Sequence, residues 1–463
     1  MRTLTTAQTT LLALPHRAHH VKVEVYRTQT STWVSLNELN GYDWVMGVTI
    51  SESIDQPVAN AVIKVRHRIH NHSLNPLFTA SPENVSGVLL KAYKQIRIYT
   101  ATMPHGTAPA STDYVLAFRG RIDKVDLGRE DITLDCRDEG GDLMSLFIEV
   151  EREYGSDAGT AVQTIAQEVL DNNSTGVTLY SILGDGTPAF DVTVTGTQYD
   201  PAWSIKPIYT QPLMSCLQAV RDLFGQIGWD VRYRWQSVMG DFLLVAYKPV
   251  RSGASVDYTI SSDLYMVDSL WFSNRDVRNV VEVRYKNANG NDQTPVTVTD
   301  ATSITNNGRL YMRLAEAAGS QIDTSTEATL LANAALSDLV EPTLFLDVTV
   351  PYFFAAQLND YYTVSPDGVH LYAAVSHAVH AITHEFGDGA ATTKLSLSGA
   401  PKSGRRVHSI RTTAGGVLLH HGSSPPFGAL ANMAPDVVAK AVGIASIHKV
   451  LDGFGFNGKG STR

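Results

Sequence analysis

The chain has 463 residues, which at ordinary domain sizes corresponds to about three domains. Hydrophobic residues make up 43% and charged residues 18%, a composition that supports folded cores and excludes a largely disordered protein. The formal net charge is −9, but residues 1–400 hold 29 basic and 44 acidic groups, whereas residues 401–463 hold eight and two. We interpret the acidic body chiefly as a source of solubility and, alternatively, as a wall that repels DNA.

The two cysteines, Cys136 and Cys216, are too few and too far apart for a disulfide framework or a C-x-x-C metal site. We expect both to be small buried side chains, one in a strand and one in a helix. The apolar run at Leu11–Leu14 is too short for a secretory signal, and no segment is long enough for a membrane span. These features predict synthesis in a reducing cytoplasm and no stable membrane insertion.

Residues 1–140 are predicted to form a small antiparallel β-domain, either a sandwich or a barrel. A short helix is predicted at Thr6–Leu14, followed by strands at Val21–Arg27, Gly47–Ile54, Ala59–Arg68 and Ile96–Thr100. The domain ends in a hairpin of two alternating strands, Val115–Val125 and Ile132–Arg137, around a turn rich in Gly and Asp.

Residues 141–262 change to a mixed α/β pattern. Apolar residues at helical spacing predict helices at Ser156–Asn172 and Pro212–Ile227, the second ending before Gly228. Alternating residues on either side of Met239-Gly240-Asp241 then predict another hairpin.

Residues 263–400 are predicted to form a second β-domain with one helix at Thr326–Val340. Its strands are predicted at Val277–Lys286, Leu344–Val350, Tyr361–Val364 and His377–Phe386, with a final strand through Leu395 and Leu397. The closing hairpin resembles the one at 114–138, which suggests a duplicated architecture. Residues 401–463 are rich in Gly and Ser and contain one helix beginning at Pro435, and we expect this extension to dock on a neighbouring subunit or fibre.

His377, His380 and His384 would share one face of a helix and could then bind a metal ion. The β-branched residues around them favour a strand instead. On a strand His377 faces away from the other two, and His380 and His384 are roughly 13 Å apart, which is too far for one metal. We therefore assign them to packing or pairing and predict no metal site.

Other candidate sites also fail on their context. The tail sequence from Gly453 to Gly460 matches G-x-G-x-x-G, but Gly460 stands where a phosphate-binding loop needs Ser or Thr, and no strand precedes it. The carboxylates Glu149, Glu151 and Glu153 form a spaced acidic row, which is more often a solvated surface than a glycosidase pair. We predict no catalytic, metal-binding or cofactor-binding residues and no enzymatic activity.

Aromatic residues gather at Tyr352, Phe353 and Phe354. In an extended segment Phe353 and Phe354 point to opposite faces, so we expect one in the core and one at an interface. No other interface residue is assigned.

Four segments together resemble the tail hub proteins of tailed bacteriophages, which are related to the baseplate hub of contractile tails and to the first part of the type VI secretion spike. They are Phe118–Ile122 with Ile132–Asp138, the helix at 212–227 with Gly228–Tyr233, Arg275–Tyr285, and Ile382–Phe386 with Gly389 and Thr393–Leu395. Their order and spacing over residues 20–400 carry the resemblance.

The resemblance implies a mainly β fold with α+β insertions: two similar antiparallel β-barrel-like domains, a mixed middle domain and the extension. It also implies a homotrimeric ring at the virion tail tip that joins the sixfold tail tube to a threefold central fibre or spike. The implied partners are the tail tube or distal tail protein, the tape-measure protein, the fibre or spike, and DNA in transit through the channel. Some relatives carry a lysozyme domain or an iron–sulfur cluster, but this chain has neither an added domain of that size nor enough cysteines, so no cofactor is expected.

Two other classes of function stay open. A receptor-binding or carbohydrate-binding tail-tip protein would need an exposed aromatic groove. A cell-wall hydrolase is the weakest alternative, because the chain contains no G-x-S-x-G, H-E-x-x-H or C-x-x-C motif.

Overall fold

The computed structural model describes residues 2, 6–12, 14, 17–84, 86–146, 152–154, 160–171, 183–184, 204–205, 209–211, 214–226, 230–236, 240–247, 256–273, 277–287, 289–314, 324–340, 343–387 and 390–398. The predicted extension at 401–463, with its helix and its glycine-rich motif, lies outside these residues, as do Glu149 and Glu151 of the acidic row.

The first part of the chain is almost entirely β. Its elements are α1 (Thr6–Leu12), β1 (Arg17–Arg27), β2 (Thr32–Ser35), β3 (Val45–Ser53), β4 (Asn60–Arg66), β5 (Arg68–Ile69), β6 (His72–Ser73), β7 (Gln95–Pro104), β8 (Val115–Leu127), β9 (Asp131–Asp138) and α2 (Gly140–Ser145), with 3-10 turns at Leu39–Gly41 and Ser111–Asp113.

The middle part mixes helices and short strands. They are β10 (Arg152–Tyr154), β11 (Thr160–Ala161), α3 (Val162–Asp171), β12 (Leu183–Gly184), β13 (Ser204–Ile205), β14 (Tyr209–Gln211), α4 (Cys216–Gln226), β15 (Asp230–Gln236) and β16 (Asp241–Tyr247). The helices α3 and α4 pack together over the β15–β16 hairpin, with Val169, Val220 and Val231 among the residues in their shared core.

The last part contains two β units. The elements are β17 (Tyr258–Ile260), β18 (Met266–Ser273), β19 (Val280–Val283), β20 (Val296–Thr299), α5 (Ala301–Asn307), β21 (Tyr311–Leu314), α6 (Ser325–Leu339), β22 (Thr343–Pro351), β23 (Tyr361–Val364), β24 (Val375–Gly387) and β25 (Ala390–Ser398). Asp300 caps α5 by accepting a hydrogen bond from the Ser303 backbone N–H, and Gly308 ends it with a positive φ. The small sheet β20-β19-β21 packs against α6 and forms a separate core.

One 13-stranded sheet dominates the molecule, and its main path runs β18-β22-β25-β24-β3-β4-β9-β8-β7-β1-β2. Strands from residues 1–140 and from residues 263–400 join in it through an antiparallel pairing of β24 with β3. A single apolar core lies against one face of this sheet and includes side chains from both parts, such as Ile63, Leu134, Leu346 and Leu397. Burying each aliphatic side chain of this kind contributes about 1.5–3 kcal/mol.

The predicted fold class is confirmed: the protein is mostly β, with α+β insertions between its strands. Among the described strands the main path is open, with free ends at β18 and β2, and no closed barrel is formed. The division into domains at residues 140, 262 and 400 stays a prediction.

Helix limits differ slightly from the sequence prediction. The first helix ends at Leu12 rather than Leu14, and α4 begins at Cys216 rather than at Pro212. Periodicity locates a helix well but leaves its ends uncertain by a turn, since terminal residues contribute little to the apolar stripe.

Candidate functional site

The large sheet contains the same four-strand arrangement twice. In one, β3, β4, β9 and β8 lie side by side in that order, and in the other β18, β22, β25 and β24 do the same. Every neighbouring pair is antiparallel, and the last two strands of each set form a hairpin. We call these sets the first repeat and the second repeat, in chain order.

Both repeats carry a β-bulge on the first and on the last strand of the set. The leading strand of each repeat is bulged near its start, at Met46 in β3 and at Asp268 in β18. The last strand of each is bulged at Asp123 in β8 and at His380 in β24. Because a bulge bends a strand and increases its twist, the corresponding strands of the two repeats are both bent, although the two bulges are spaced differently across the sheet in each repeat.

The repeats join head to tail. Beyond its bulge, β24 of the second repeat pairs with β3 of the first repeat from Ala381, opposite Ser53, to Gly387, opposite Gly47. The side chains that point into the core at this junction are buried, and among them Phe386 lies opposite Val48.

The segment between β22 and β23 strengthens this junction. The Tyr352 hydroxyl donates a hydrogen bond of 2.8 Å to Thr100 Oγ1 on β7, and the Tyr352 ring lies 5.4 Å from the His19 ring on β1. Phe353 and Phe354 are 5% and 8% exposed, so the expectation that one of them lies at an interface is wrong. The segment turns beneath the sheet instead of running as a strand, and both faces are therefore covered.

The three histidines of β24 lie on a strand, as predicted, and His384 and His380 contact different residues. His384 Nδ1 is 2.8 Å from Thr393 Oγ1, and burial, followed by the nearby charge of Arg2, lowers the His384 pKa to about 3. His380 Nε2 is 2.9 Å from Asp55 Oδ2. Within the described part of the chain, no three His, Cys, Asp or Glu side chains are grouped so that they could hold a metal ion.

Both cysteines are free and buried, as predicted. Burial raises the pKa of the Cys216 thiol to about 11, and desolvation also raises that of Cys136. Neither thiol therefore carries the charge that a reactive cysteine needs near neutral pH.

Each repeat has a strand edge that is free where its counterpart is paired. Among the described strands, β18 pairs only with β22, although its counterpart β3 pairs on both sides. Beyond the Asp123 bulge, residues 124–127 of β8 pair with β9 alone, although the matching part of β24 also pairs with β3. The free edge of β18 corresponds to the edge of β3, and the free end of β8 corresponds to the end of β24. These are the two edges that pair with each other inside the molecule.

Large apolar side chains lie at the free edge of β18. The Trp271 ring stacks on Phe345 of β22 with 4.0 Å between ring centroids, and it is 47% exposed. Met266 on the same strand is 64% exposed. An edge strand with exposed apolar groups is suited to pairing with another strand, because the backbone N–H and C=O groups along its open side are available for a further ladder.

The sheet face opposite the core is rich in polar side chains. Among the described elements, α2 and the β15–β16 hairpin contact it near Arg119, Arg121 and Arg137, and the rest of the face is uncovered. Its charged residues include Lys64, Arg66, Arg119, Arg121, Lys124, Arg137 and Lys394 with Asp126, Asp131, Asp135, Asp268, Asp347 and Glu385. Several are paired, including Arg137 with Asp123 and Lys124 with Asp126. Positive and negative groups are nearly balanced, so this face is less acidic than the net charge of residues 1–400 led us to expect.

The β15–β16 hairpin is held to the large sheet by a buried arginine. The Arg232 guanidinium donates to the carbonyl oxygens of Ser53 and Ile54 at 3.3–3.4 Å and lies 3.4 Å from Asp230 Oδ2. Although burial opposes it, Arg221 and Arg232 hold the pKa of Asp230 below its ordinary value. Sequence alternation missed this cluster, because it assigns Arg232 to a solvent-facing side of a half-buried strand.

A second ionic contact lies nearer the surface. Arg119 on β8 donates to Glu139 Oε1 and to Asp241 Oδ2, both at 2.8 Å. The Tyr233 hydroxyl also donates to Glu139. The contact joins the first repeat to the turn of the β15–β16 hairpin and fixes how the middle part sits on the sheet.

None of the described helices combines the length and apolarity needed to cross a membrane.

No protein-family model matches the chain, and no curated protein matches its sequence. Solved structures do match. The tail protein from Neisseria meningitidis MC58 is 12% identical with a TM-score of 0.53, over 83% of this chain and 96% of that one. The 43 kDa tail protein of prophage MuSo2 from Shewanella oneidensis is 12% identical with a TM-score of 0.50, over 81% and 97%.

A prophage tail protein from Listeria monocytogenes EGD-e gives a similar result, at 11% identity and a TM-score of 0.51, over 84% of this chain and 98% of that one. At such low identity the likeness establishes fold and not activity. The resemblance drawn from sequence is therefore confirmed at the level of architecture: the chain has the fold of phage and prophage tail proteins.

Proposed function

We propose that this protein is the structural hub of a phage tail tip, in which three copies form a ring of six repeats. Its fold is that of phage tail proteins, which supports a structural role in a tail. The ring would join the sixfold tail tube to a threefold central fibre or spike.

The head-to-tail arrangement of the repeats carries this proposal. The junction inside the chain joins the end of one repeat to the leading strand of the other, and the same two kinds of edge are free at β8 and β18. A head-to-tail contact between copies either closes into a ring or continues as a filament. Two repeats in each chain give six repeats in a ring of three, which matches a sixfold tube.

The uncovered face of the sheet would line the channel of this ring. The other face is occupied by the core, which would lie on the outside of a closed sheet. The middle part contacts the sheet near Arg119 and Arg121 and leaves the rest of the uncovered face open to the channel. The uncovered face carries charges of both signs, with Arg137 and Lys124 each paired to an aspartate, and so has few free cations to retain a phosphate backbone. DNA would contact it only in transit.

The other partners follow from this position at the tail tip of the virion. The tail tube or distal tail protein would bind one side of the ring, and the fibre or spike the other. The tape-measure protein would end at the channel. The middle part at 141–262, attached through Arg232 and Arg119, would face away from the tube and support the next component.

The first experiment is to measure the mass of the purified protein by light scattering, alone and mixed with its tail-tube partner. We expect a trimer, or three copies on one sixfold tube ring. A stable monomer that does not bind the tube protein but binds host cell walls would instead favour the hypothesis of a receptor-binding protein.

A cysteine pair tests the edges directly. Asp126 at the free end of β8 and Trp271 on β18 both lie on the face away from the core, so Asp126→Cys with Trp271→Cys should yield chains linked in a closed set of three on oxidation. The pair Asp126→Cys with Lys394→Cys is the control, since Lys394 lies on the interior strand β25. The native cysteines are buried and should not interfere. Equal cross-linking of both pairs would contradict the proposed contact.

A further inference from the structure

The connection between β4 and β7, residues 67–94, is a long loop that is firmly ordered from within. Glu83 is only 1% exposed and accepts hydrogen bonds from Asn40 Nδ2 at 2.8 Å and from His72 Nδ1 at 2.6 Å. The Asn84 side chain donates to the backbone oxygens of Asn75 and Phe78 at 3.0 and 3.2 Å. The buried leucines Leu74, Leu89 and Leu90 join the loop to the main core.

This ordered loop nevertheless holds large apolar side chains in solvent. Leu77 is 80% exposed, Phe78 51% and Tyr93 80%. A loop whose polar groups are satisfied internally has no folding reason to display them, so a partner surface is the physical explanation.

The loop lies beside the free end of β8. At one end of the loop, the Tyr93 backbone N–H donates to the Ile122 carbonyl oxygen at 2.7 Å, just before the Asp123 bulge. At the other end, the His67 N–H donates to the Glu130 carbonyl oxygen at 3.1 Å, in the β8–β9 turn. These two contacts bracket residues 124–127, the edge that we expect to meet a second copy.

The second repeat shows what the equivalent connection does. The β22–β23 connection starts after the second strand of its repeat, as the 67–94 loop does, and its Tyr352 crosses to Thr100 and His19 on β7 and β1 of the first repeat. Among the described strands, the same chain has no corresponding receiving strands for the first repeat. In the second repeat β23 borders β24, as β7 borders β8 in the first repeat. The strands that would receive the 67–94 loop are therefore β23 and β17 of the next copy.

We propose that the 67–94 loop is an arm that docks, through Leu77 and Phe78, on the β17–β23 side of a neighbouring copy of this chain. The inference rests on the proposed ring and adds a contact that strand pairing does not supply. The receiving side offers Val256, which is 45% exposed, and the partly buried Tyr258.

Sedimentation of the double variant Leu77→Ser, Phe78→Ser tests the arm. Its trimer should dissociate at a protein concentration about tenfold or more above that of the unmodified chain, as loss of central apolar anchors predicts. Met144→Ser is the matched control, since Met144 is 38% exposed on α2 and lies outside the 67–94 loop. An unchanged trimer would overturn the arm while leaving the ring intact, and an unmodified chain that stays monomeric with its tube partner would overturn both.

A second measurement does not depend on how the variant folds. A benzophenone label on Leu77→Cys should cross-link on illumination to a peptide containing residues 256–260 of another copy, identified by mass spectrometry of mixed heavy and light chains. Cross-links confined to the same chain, or to other peptides, would overturn the proposed docking.

Discussion

His384 is a titratable side chain enclosed where the two repeats meet. It shares a hydrogen bond of 2.8 Å with Thr393, and its ring lies 5.2 Å from the Tyr352 ring in an edge-on contact. Burial and the charge of Arg2 lower its pKa to about 3, and burial lowers that of His19, on the other side of Tyr352, to about 4. His384 and His19 are therefore both uncharged near neutral pH.

Acid should weaken this junction. An unfolded histidine titrates near pKa 6.5, so the unfolded chain binds the proton first, and stability falls as pH drops from about 6.5 towards 3. In urea unfolding at several pH values, His384→Gln should show a shallower acid slope than the unmodified chain. His105→Gln, at an exposed position, should keep the original slope. Equal slopes in all three proteins would show that His384 is not the source.

Arg232 shows why a single residue can escape sequence analysis. Its strand alternates in polarity, but both faces of β15 are covered, one by the helices and one by the large sheet. Only the fold shows that the guanidinium donates hydrogen bonds to carbonyl oxygens of the β3–β4 turn, including that of Gln56 at 3.4 Å. By contrast, the β-branched residues around the β24 histidines were enough to predict a strand there, and the structure confirmed the strand.

Replacing Arg232 should loosen the middle part from the sheet. Arg232→Met leaves buried carbonyl oxygens without a donor and Asp230 with one fewer cation, which should cost about 3 kcal/mol of unfolding free energy. Arg284→Met, at a salt bridge whose arginine is 54% exposed, should cost less than about 1 kcal/mol. Chemical denaturation gives the energies, and limited proteolysis should show earlier cleavage within 141–262 in the first variant alone.

At the scale of elements, hairpins were predictable and their bulges were not. The alternating strands at 115–125 and 132–137 and the Gly/Asp turn were enough to locate β8 and β9 within two residues. The same held for β24, and β25 contains Leu395 and Leu397 as predicted. The bulges at Asp123 and His380 could not be predicted from residue types, because a bulge depends on how the neighbouring strands pair in the sheet.

Gly120 is the residue on which the first hairpin most depends. A Cβ atom there would lie 2.0 Å from the Arg137 carbonyl oxygen, which belongs to the partner strand and cannot move aside. We expect Gly120→Ala to lower the unfolding free energy by about 3 kcal/mol or more. Gly387→Ala is the control, because the nearest atom to its added Cβ is 4.0 Å away. Similar unfolding midpoints for the two variants would contradict this view of the hairpin.

At the scale of the whole molecule, sequence indicated a duplication but not how its halves meet. The two hairpins are similar enough to be recognised, yet β3 and β24 are separated by more than 300 residues, and no local pattern states which edges pair. Pairing over such a distance is decided by which edges are left open once each hairpin has formed. The same rule, applied to β8 and β18, would extend the chain into the proposed ring.

A ring closed through those edges makes stability depend on concentration. Because association stabilises only the folded state, the thermal midpoint of the unmodified chain should rise with protein concentration. Trp271→Lys places a charge on the open edge of β18, so its midpoint should be lower and nearly constant over the same range. Tyr311→Lys, at a site with similar exposure on the small sheet, should keep the concentration dependence. A midpoint that is independent of concentration in the unmodified chain would place assembly elsewhere on the molecule.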